Sequence, residues 1–234
     1  MAPETKTRYE GRTQLEAMAR AVRYNRYLAG LIRRFGEDTT AVLDFGAGIG
    51  TFSDSLPIPP ARVTCVEPDT EARSTLAARG FRVAGTLEDL PDGGFSYAFT
   101  LNVLEHIEAD GAAVAGLYRV LAPGGRLFVY VPAFALLKTA MDTAVGHYRR
   151  YRARELMALL RGAGFRIEHA RYADALGFFA TLAYRAFDRR RTGALDPRTV
   201  TFYDRWVFPA SRLLSVPLGP ILGKNLWVVG RKER

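Results

Sequence analysis

The nine residues Val42-Leu43-Asp44-Phe45-Gly46-Ala47-Gly48-Ile49-Gly50 constrain this chain more tightly than any other segment. A short apolar run closes on an acid and passes directly into Gly-x-Gly-x-Gly. Glycine reaches left-handed backbone angles at little cost, and a turn without Cβ atoms can bring its amides close to a ligand. A strand that ends this way and leads into a helix is a nucleotide-binding turn. Its spacing differs from the Gly-x-Gly-x-x-Gly of dinucleotide folds, and a carboxylate beside the glycines suits a pyrophosphate poorly.

The surrounding pattern supplies the rest of such a fold. Apolar runs at 41–45, 62–66, 81–83, 95–101 and 127–131 read as covered parallel strands. Helical stretches at 70–79 and 110–121 lie between them, the second ended by Pro123-Gly124-Gly125. This alternation predicts an α/β chain with a Rossmann-like, doubly wound, mostly parallel seven-stranded sheet. Residues 12–35 read as a preceding helix, 153–162 as a later one, and 165–169 as a further strand. The tail 226–230 is β-like and predicts a hairpin with that strand at the sheet edge. Three parts follow: an N-terminal helical segment (1–40), the nucleotide-binding domain (41–171 with 223–234), and an aromatic and basic insertion (172–222) that caps the site before the last strand.

Two features narrow the ligand. Glu67 ends the second strand, where a carboxylate accepts hydrogen bonds from ribose hydroxyls. Asp44 suits a ligand carrying ammonium and sulfonium charge, which points away from NAD or FAD and toward S-adenosylmethionine (SAM). On these residues the chain resembles the class I SAM-dependent methyltransferases, in their type 11/12-like small-molecule branch. Val66-Glu67-Pro68-Asp69, the loop Gly85-Thr86-Leu87-Glu88-Asp89-Leu90-Pro91, the segment Asn102-Val103-Leu104-Glu105-His106-Ile107 and the turn Tyr118-Arg119-Val120-Leu121-Ala122-Pro123-Gly124-Gly125 follow in that family's order. The resemblance implies that Gly46, Ala47 and Gly48 meet the methionine end of SAM with Asp44 nearby. It implies that Glu67 holds the ribose, Pro68 packs on adenine, Thr86 and Leu87 edge the adenine, and Asn102 lies under the sulfonium. Many relatives carry Asp where this chain has Thr86. The product is S-adenosylhomocysteine (SAH).

On the acceptor side, Glu105 and His106 follow the fourth strand at the edge where open α/β sheets bind ligands. His106, Glu105 and His147 are the candidate bases, since a proton must often leave the acceptor. Tyr148, Arg149 and Arg150 are candidate substrate contacts, because guanidinium groups bind phosphate or carboxylate bidentately. Tyr24 is a further candidate, in an N-terminal segment placed to fold over the cofactor. No metal is expected.

Charge sharpens the choice of partner. Residues 147–234 hold 18 Lys/Arg against 7 Asp/Glu, whereas residues 1–146 hold 15 against 17. A basic C-terminal third suits an anionic partner or an acidic lipid surface. The leading reading is therefore C- or O-methylation of a small, partly apolar, anionic acceptor, specifically a prenyl diphosphate or lipid-linked phosphate. O- or N-methylation of a neutral natural product or sugar is the alternative, and a SAM-binding sensor without turnover is a reading of another class. No base-flipping motif or RNA module points to nucleic acid. The lone Cys65 gives no sign of an oxidising compartment, and neither a leader nor an apolar run of spanning length is visible. The expectation is a cytoplasmic enzyme, with peripheral membrane contact and homo-oligomerisation left open.

Overall fold

The computed structural model describes residues 20–36, 40–187 and 197–233. In chain order these form α1 (Val22–Phe35), β1 (Val42–Phe45), β2 (Val63–Val66), α2 (Thr70–Ala78), β3 (Arg82–Ala84), β4 (Phe95–Leu101), α3 (Asp110–Val120), β5 (Leu121–Pro132), α4 (Ala140–Ala144), α5 (Ala153–Gly162), β6 (Phe165–Ala173), α6 (Ala175–Phe187), α7 (Pro197–Phe202), α8 (Phe208–Leu218) and β7 (Asn225–Lys232). The part of the expected first helix at 12–19 lies outside the described residues, as do the arginines 189–191.

The seven strands run in the order β3-β2-β1-β4-β5-β7-β6. β1 pairs in parallel with β2 and with β4, and β5 is parallel to β4. β7 is antiparallel to both β5 and β6, which places the tail one strand in from the edge and β6 outermost. The period-2 alternation of strand residues builds two cores. Leu127, Val129 and Val131 of β5 pack with Val114 and Leu117 of α3 and with Leu156 and Leu160 of α5. Phe128 and Tyr130 point to the opposite face and meet Leu28, Ile32 and Phe35 of α1. Both faces are covered, which is why these strands read as apolar runs rather than as alternating ones.

The strand expected at 165–169 runs on to Ala173, and the junction of α3 and β5 departs further from the sequence expectation. The helix expected to reach residue 121 stops at Val120, because Leu121 already pairs with Phe95. The Pro-Gly-Gly expected to end that helix instead forms an irregularity inside β5, where the register jumps from Phe95↔Leu121 to Tyr97↔Arg126 and Gly124 takes φ +80°. A bulge of this kind keeps a long strand in the sheet despite a proline.

The described residues between 175 and 218 are mostly helical, and α8 turns two serines inward and several apolar side chains outward. Ser211 is fully buried, donates to Asp174 Oδ1 (2.7 Å) and accepts from the Leu176 amide (2.9 Å). Ser215 accepts from the Ala175 amide (3.1 Å). The serines thus satisfy the start of α6 from inside. Leu213 and Val216 are 75% and 70% exposed on the outer side. A helix of a water-facing surface puts these residue types the other way round.

Candidate active site

The carboxyl ends of β1, β2 and β4 converge on the glycine loop. Gly46 and Ala47 donate their amides to the Val66 carbonyl (2.8 and 3.2 Å), which ties the loop to β2. Gly46 sits at φ +79°, and a Cβ there would lie 2.3 Å from Val103 Cγ2. Glycine is required at this position both for its backbone angle and for the close approach to the segment after β4. Gly48, at φ +54°, faces open space, with nothing within 4 Å of where a Cβ would be. Its amide donates to Glu67 Oε2 (2.8 Å), while Glu67 Oε1 accepts from the Asp69 amide (3.0 Å). The half-buried Glu67 carboxylate therefore stands between the loop and the start of α2, which Asp69 caps through the Ala72 amide.

Asp44 lies beneath the loop rather than on its surface. It is buried, and Ser53 Oγ donates to its Oδ2 at 2.6 Å. Burial pushes its pKa up to about 7, against the Ser53 hydrogen bond and with a further upward push from Glu67. Cys65 is buried beside Ser53, and burial raises its thiol to about 12, so it is no nucleophile.

The remaining cofactor candidates divide by exposure. Pro68 and Thr86 are exposed, and the Thr86 amide donates to Asp89 Oδ2 (2.9 Å). Leu87 is buried instead, its side chain lying where a Cβ on Gly116 would meet it. Asn102 is exposed too, at φ +54°, with its amide donating to the Tyr130 carbonyl (2.8 Å). Asparagine is among the few non-glycine residues that adopt this left-handed conformation readily. The loop, the open space over Gly48 and the Glu67 carboxylate fit a nucleoside carrying an amino-acid arm. A surface hollow of about 580 Å³, lined by Thr40, Arg62, Arg82 and Pro91, lies at the opposite end, where the strands begin.

The three candidate bases gather in one cluster. Glu105 and His106 lie in a 3-10 turn (Leu104–His106) just after β4, and the Tyr148 amide donates to the Glu105 carbonyl (2.8 Å), which brings His147 over them. The His106 and His147 rings meet edge to face, 4.5 Å between centroids. His147 Nδ1 lies 2.8 Å from Asp142 Oδ1, and His147 Nε2 lies 3.9 Å from Glu105 Oε1. Glu105 is 0% exposed, and neither of its carboxylate oxygens has a hydrogen-bond partner. Its burial raises its pKa to about 8, while burial and the neighbouring His147 lower His106 to about 4.

Asp142, which sequence reasoning missed, organises this cluster. It accepts from Arg150 Nε (2.7 Å) and Nη2 (3.0 Å), and from the amide and hydroxyl of Thr139 (2.8 and 2.9 Å). Burial works against its charge, but the bonds from His147 and Arg150 prevail and hold it well below the usual carboxylate range. An ionised Asp142 fixes the His147 proton on Nδ1 and leaves Nε2 as a base. The signal for it was present as Thr139-Ala140-Met141-Asp142, the spacing of a capping box.

The expected anion contacts are committed elsewhere. Arg150 is held by Asp142 and the Ala133 carbonyl (3.2 Å), and Arg149 by Asp110 (2.8 Å) and the Glu108 carbonyl (2.7 Å). Tyr148 is exposed. Tyr24 bonds Tyr130 through its hydroxyl (2.9 Å) and packs edge-on against Phe208, so it ties α1 to the sheet and to α8.

A glycine loop answered by an acid on the neighbouring strand, at the carboxyl edge of a sheet with one antiparallel strand next to its edge, defines a class I SAM-dependent methyltransferase. The chain belongs to the methyltransferase domain family, whose model matches residues 18–170. It is 31% identical over 161 residues to a probable S-adenosylmethionine-dependent methyltransferase of Mycolicibacterium smegmatis, covering 66% of this chain and 61% of that one. It is 29% identical over 150 residues to a ubiquinone biosynthesis O-methyltransferase of Xanthomonas euvesicatoria, covering 54% and 63%. The match thus spans less than two thirds of the length of these relatives. Among solved structures, a SAM-dependent methyltransferase of Thermotoga maritima, a possible histamine N-methyltransferase, shares the fold with a TM-score of 0.64 at 19% identity, over 96% of this chain and 98% of that one.

Proposed function

We propose that this chain transfers the methyl group of SAM to a hydroxyl oxygen of a small, partly apolar acceptor. The observation that carries this reading is the Asp142–His147 pair, whose second ring nitrogen faces the buried Glu105 turn two residues beyond the Val103 contact with the glycine loop. When bound, SAM supplies an activated methyl on a sulfonium. Gly46, Ala47 and Gly48 would hold its amino-acid end, Glu67 its ribose, and Thr86 and Asn102 would flank it. His147 Nε2 takes the acceptor proton, and Asp142 stabilises the imidazolium so formed, as in other carboxylate–histidine base pairs. The deprotonated oxygen would accept the activated methyl, with SAH as the other product. His106, held neutral, packs against His147 and limits its movement.

With Arg149 and Arg150 neutralised by internal carboxylates, the site itself favours a neutral or phenolic hydroxyl over a phosphate. The O-methyltransferase name of the Xanthomonas relative supports the same choice. A prenyl diphosphate or lipid-linked phosphate is the second reading. The outer side of α8 favours it, because exposed Leu213, Val216 and Ile221 lie close in the chain to Arg205 and Arg212 and suit peripheral contact with an anionic membrane. No helix of the described residues is long and apolar enough to cross a membrane. Mass spectrometry after incubation with SAM and a panel of phenols, sugars, prenyl diphosphates and lipid-linked phosphates tests the two readings. Methylated phenols are expected, products only among the phosphates, on carbon or oxygen, would favour the second reading, and methyl transfer confined to nitrogen would overturn both.

A further inference from the structure

We propose that Glu105, His106 and His147 form a binding site for a divalent transition-metal ion of the zinc or manganese type. The three side chains offer one carboxylate oxygen and two imidazole nitrogens, all within 4.8 Å of one another. Coordination bonds of about 2.0–2.2 Å bring such atoms to about 3–3.5 Å apart, so modest side-chain rotations close the site. A base role for His147 alone does not account for Glu105. This side chain is fully buried, aimed at His147, and has neither oxygen satisfied, at a position where an unpaired carboxylate is costly. A cation between Glu105 and the two rings satisfies it.

The surroundings have the form that metal histidines take. A ligating histidine usually donates its other ring nitrogen to a carboxylate or a carbonyl, which fixes the ring and its tautomer. His147 has Asp142 at 2.8 Å on Nδ1, and Asp142 is itself anchored by Arg150 and Thr139. One carboxylate and two imidazoles select zinc, manganese or iron over magnesium and calcium, which take oxygen ligands. Three protein ligands leave positions open for an acceptor oxygen, whose proton the ion would loosen toward solvent; with the ion bound, His147 Nε2 is a ligand and the ion takes over the task of the base. The site stands on its own geometry, and only this use of it rests on the methyl-transfer reading.

The test is calorimetric titration of chelator-treated full-length protein with zinc chloride, and spin-resonance titration with manganese chloride, on the native chain, Glu105→Gln and Asp142→Asn. One ion per chain is expected, with affinity reduced at least 100-fold in Glu105→Gln and about 10–100-fold in Asp142→Asn. The Asp142 variant keeps all three ligands and serves if Glu105→Gln does not fold by near-ultraviolet dichroism. Absence of saturable uptake, or equal uptake by folded Glu105→Gln, overturns the site. SAH is titrated into the same native preparation. SAH binding without ion uptake removes the metal and leaves the methyltransferase reading intact, and ion uptake without SAH binding does the reverse.

Discussion

The two halves of the site are built by different means. The cofactor half is made of backbone: consecutive glycine-loop amides, one carboxylate at the next strand's end, and a close approach that only glycine allows. The acceptor half is made of side chains from segments far apart in the chain, Glu105 and His106 after β4 and Asp142, His147 and Arg150 around α4, held by hydrogen bonds among themselves. A backbone site is specified by a contiguous motif and carries one cofactor chemistry. A side-chain site depends on long-range packing and can change its acceptor while the first half stays constant.

If the halves are separable, damage to one should spare the other. The largest effect is expected from His147→Asn, which removes the base: kcat on the acceptor should fall about 10²–10⁴-fold, with SAH affinity within about twofold of the native value. A parallel loss of SAH binding would show that the halves are one unit. Next is Glu67→Ala, which removes charge-assisted hydrogen bonds worth about 1.5–3 kcal/mol. SAH affinity should fall about 10–100-fold by calorimetry, while the zinc affinity of the His147 cluster is unchanged.

The smallest effect concerns stability under the loop. The Asp44 pKa is raised from its ordinary 3.8 to about 7 in the folded chain. The folded state thus keeps a proton that the unfolded state releases, so stability falls as pH rises from about 4 to about 7 and then levels off. Asp44→Asn lacks this loss. Its melting temperature should exceed the native value by an amount that grows across that window, on the order of 10 °C at the top. A gap independent of pH would contradict the assignment.

What could be read from the sequence follows the same division. The glycine loop, Glu67 and the apolar strand runs are contiguous in the chain, so fold class and cofactor are legible in the order of residues alone. The Pro-Gly-Gly in β5 misled because the same dipeptides that end helices also form bulges, and only pairing with β4 distinguishes them. Arg149 and Arg150 read as anion contacts because nothing local reveals that Asp110 and Asp142 reach them. Asp142 carried a capping-box spacing, but its second task, orienting His147, exists only once the chain has turned back over Glu105. The outward-facing apolar side of α8 was hidden for the converse reason: its serines face inward to satisfy α6, and no periodicity rule anticipates that.

The most direct test of the account is calorimetric titration of the folded native chain with SAH. It predicts saturable binding of one molecule per chain. Folded protein that takes up neither SAH nor SAM would contradict the cofactor half, and with it the functional reading.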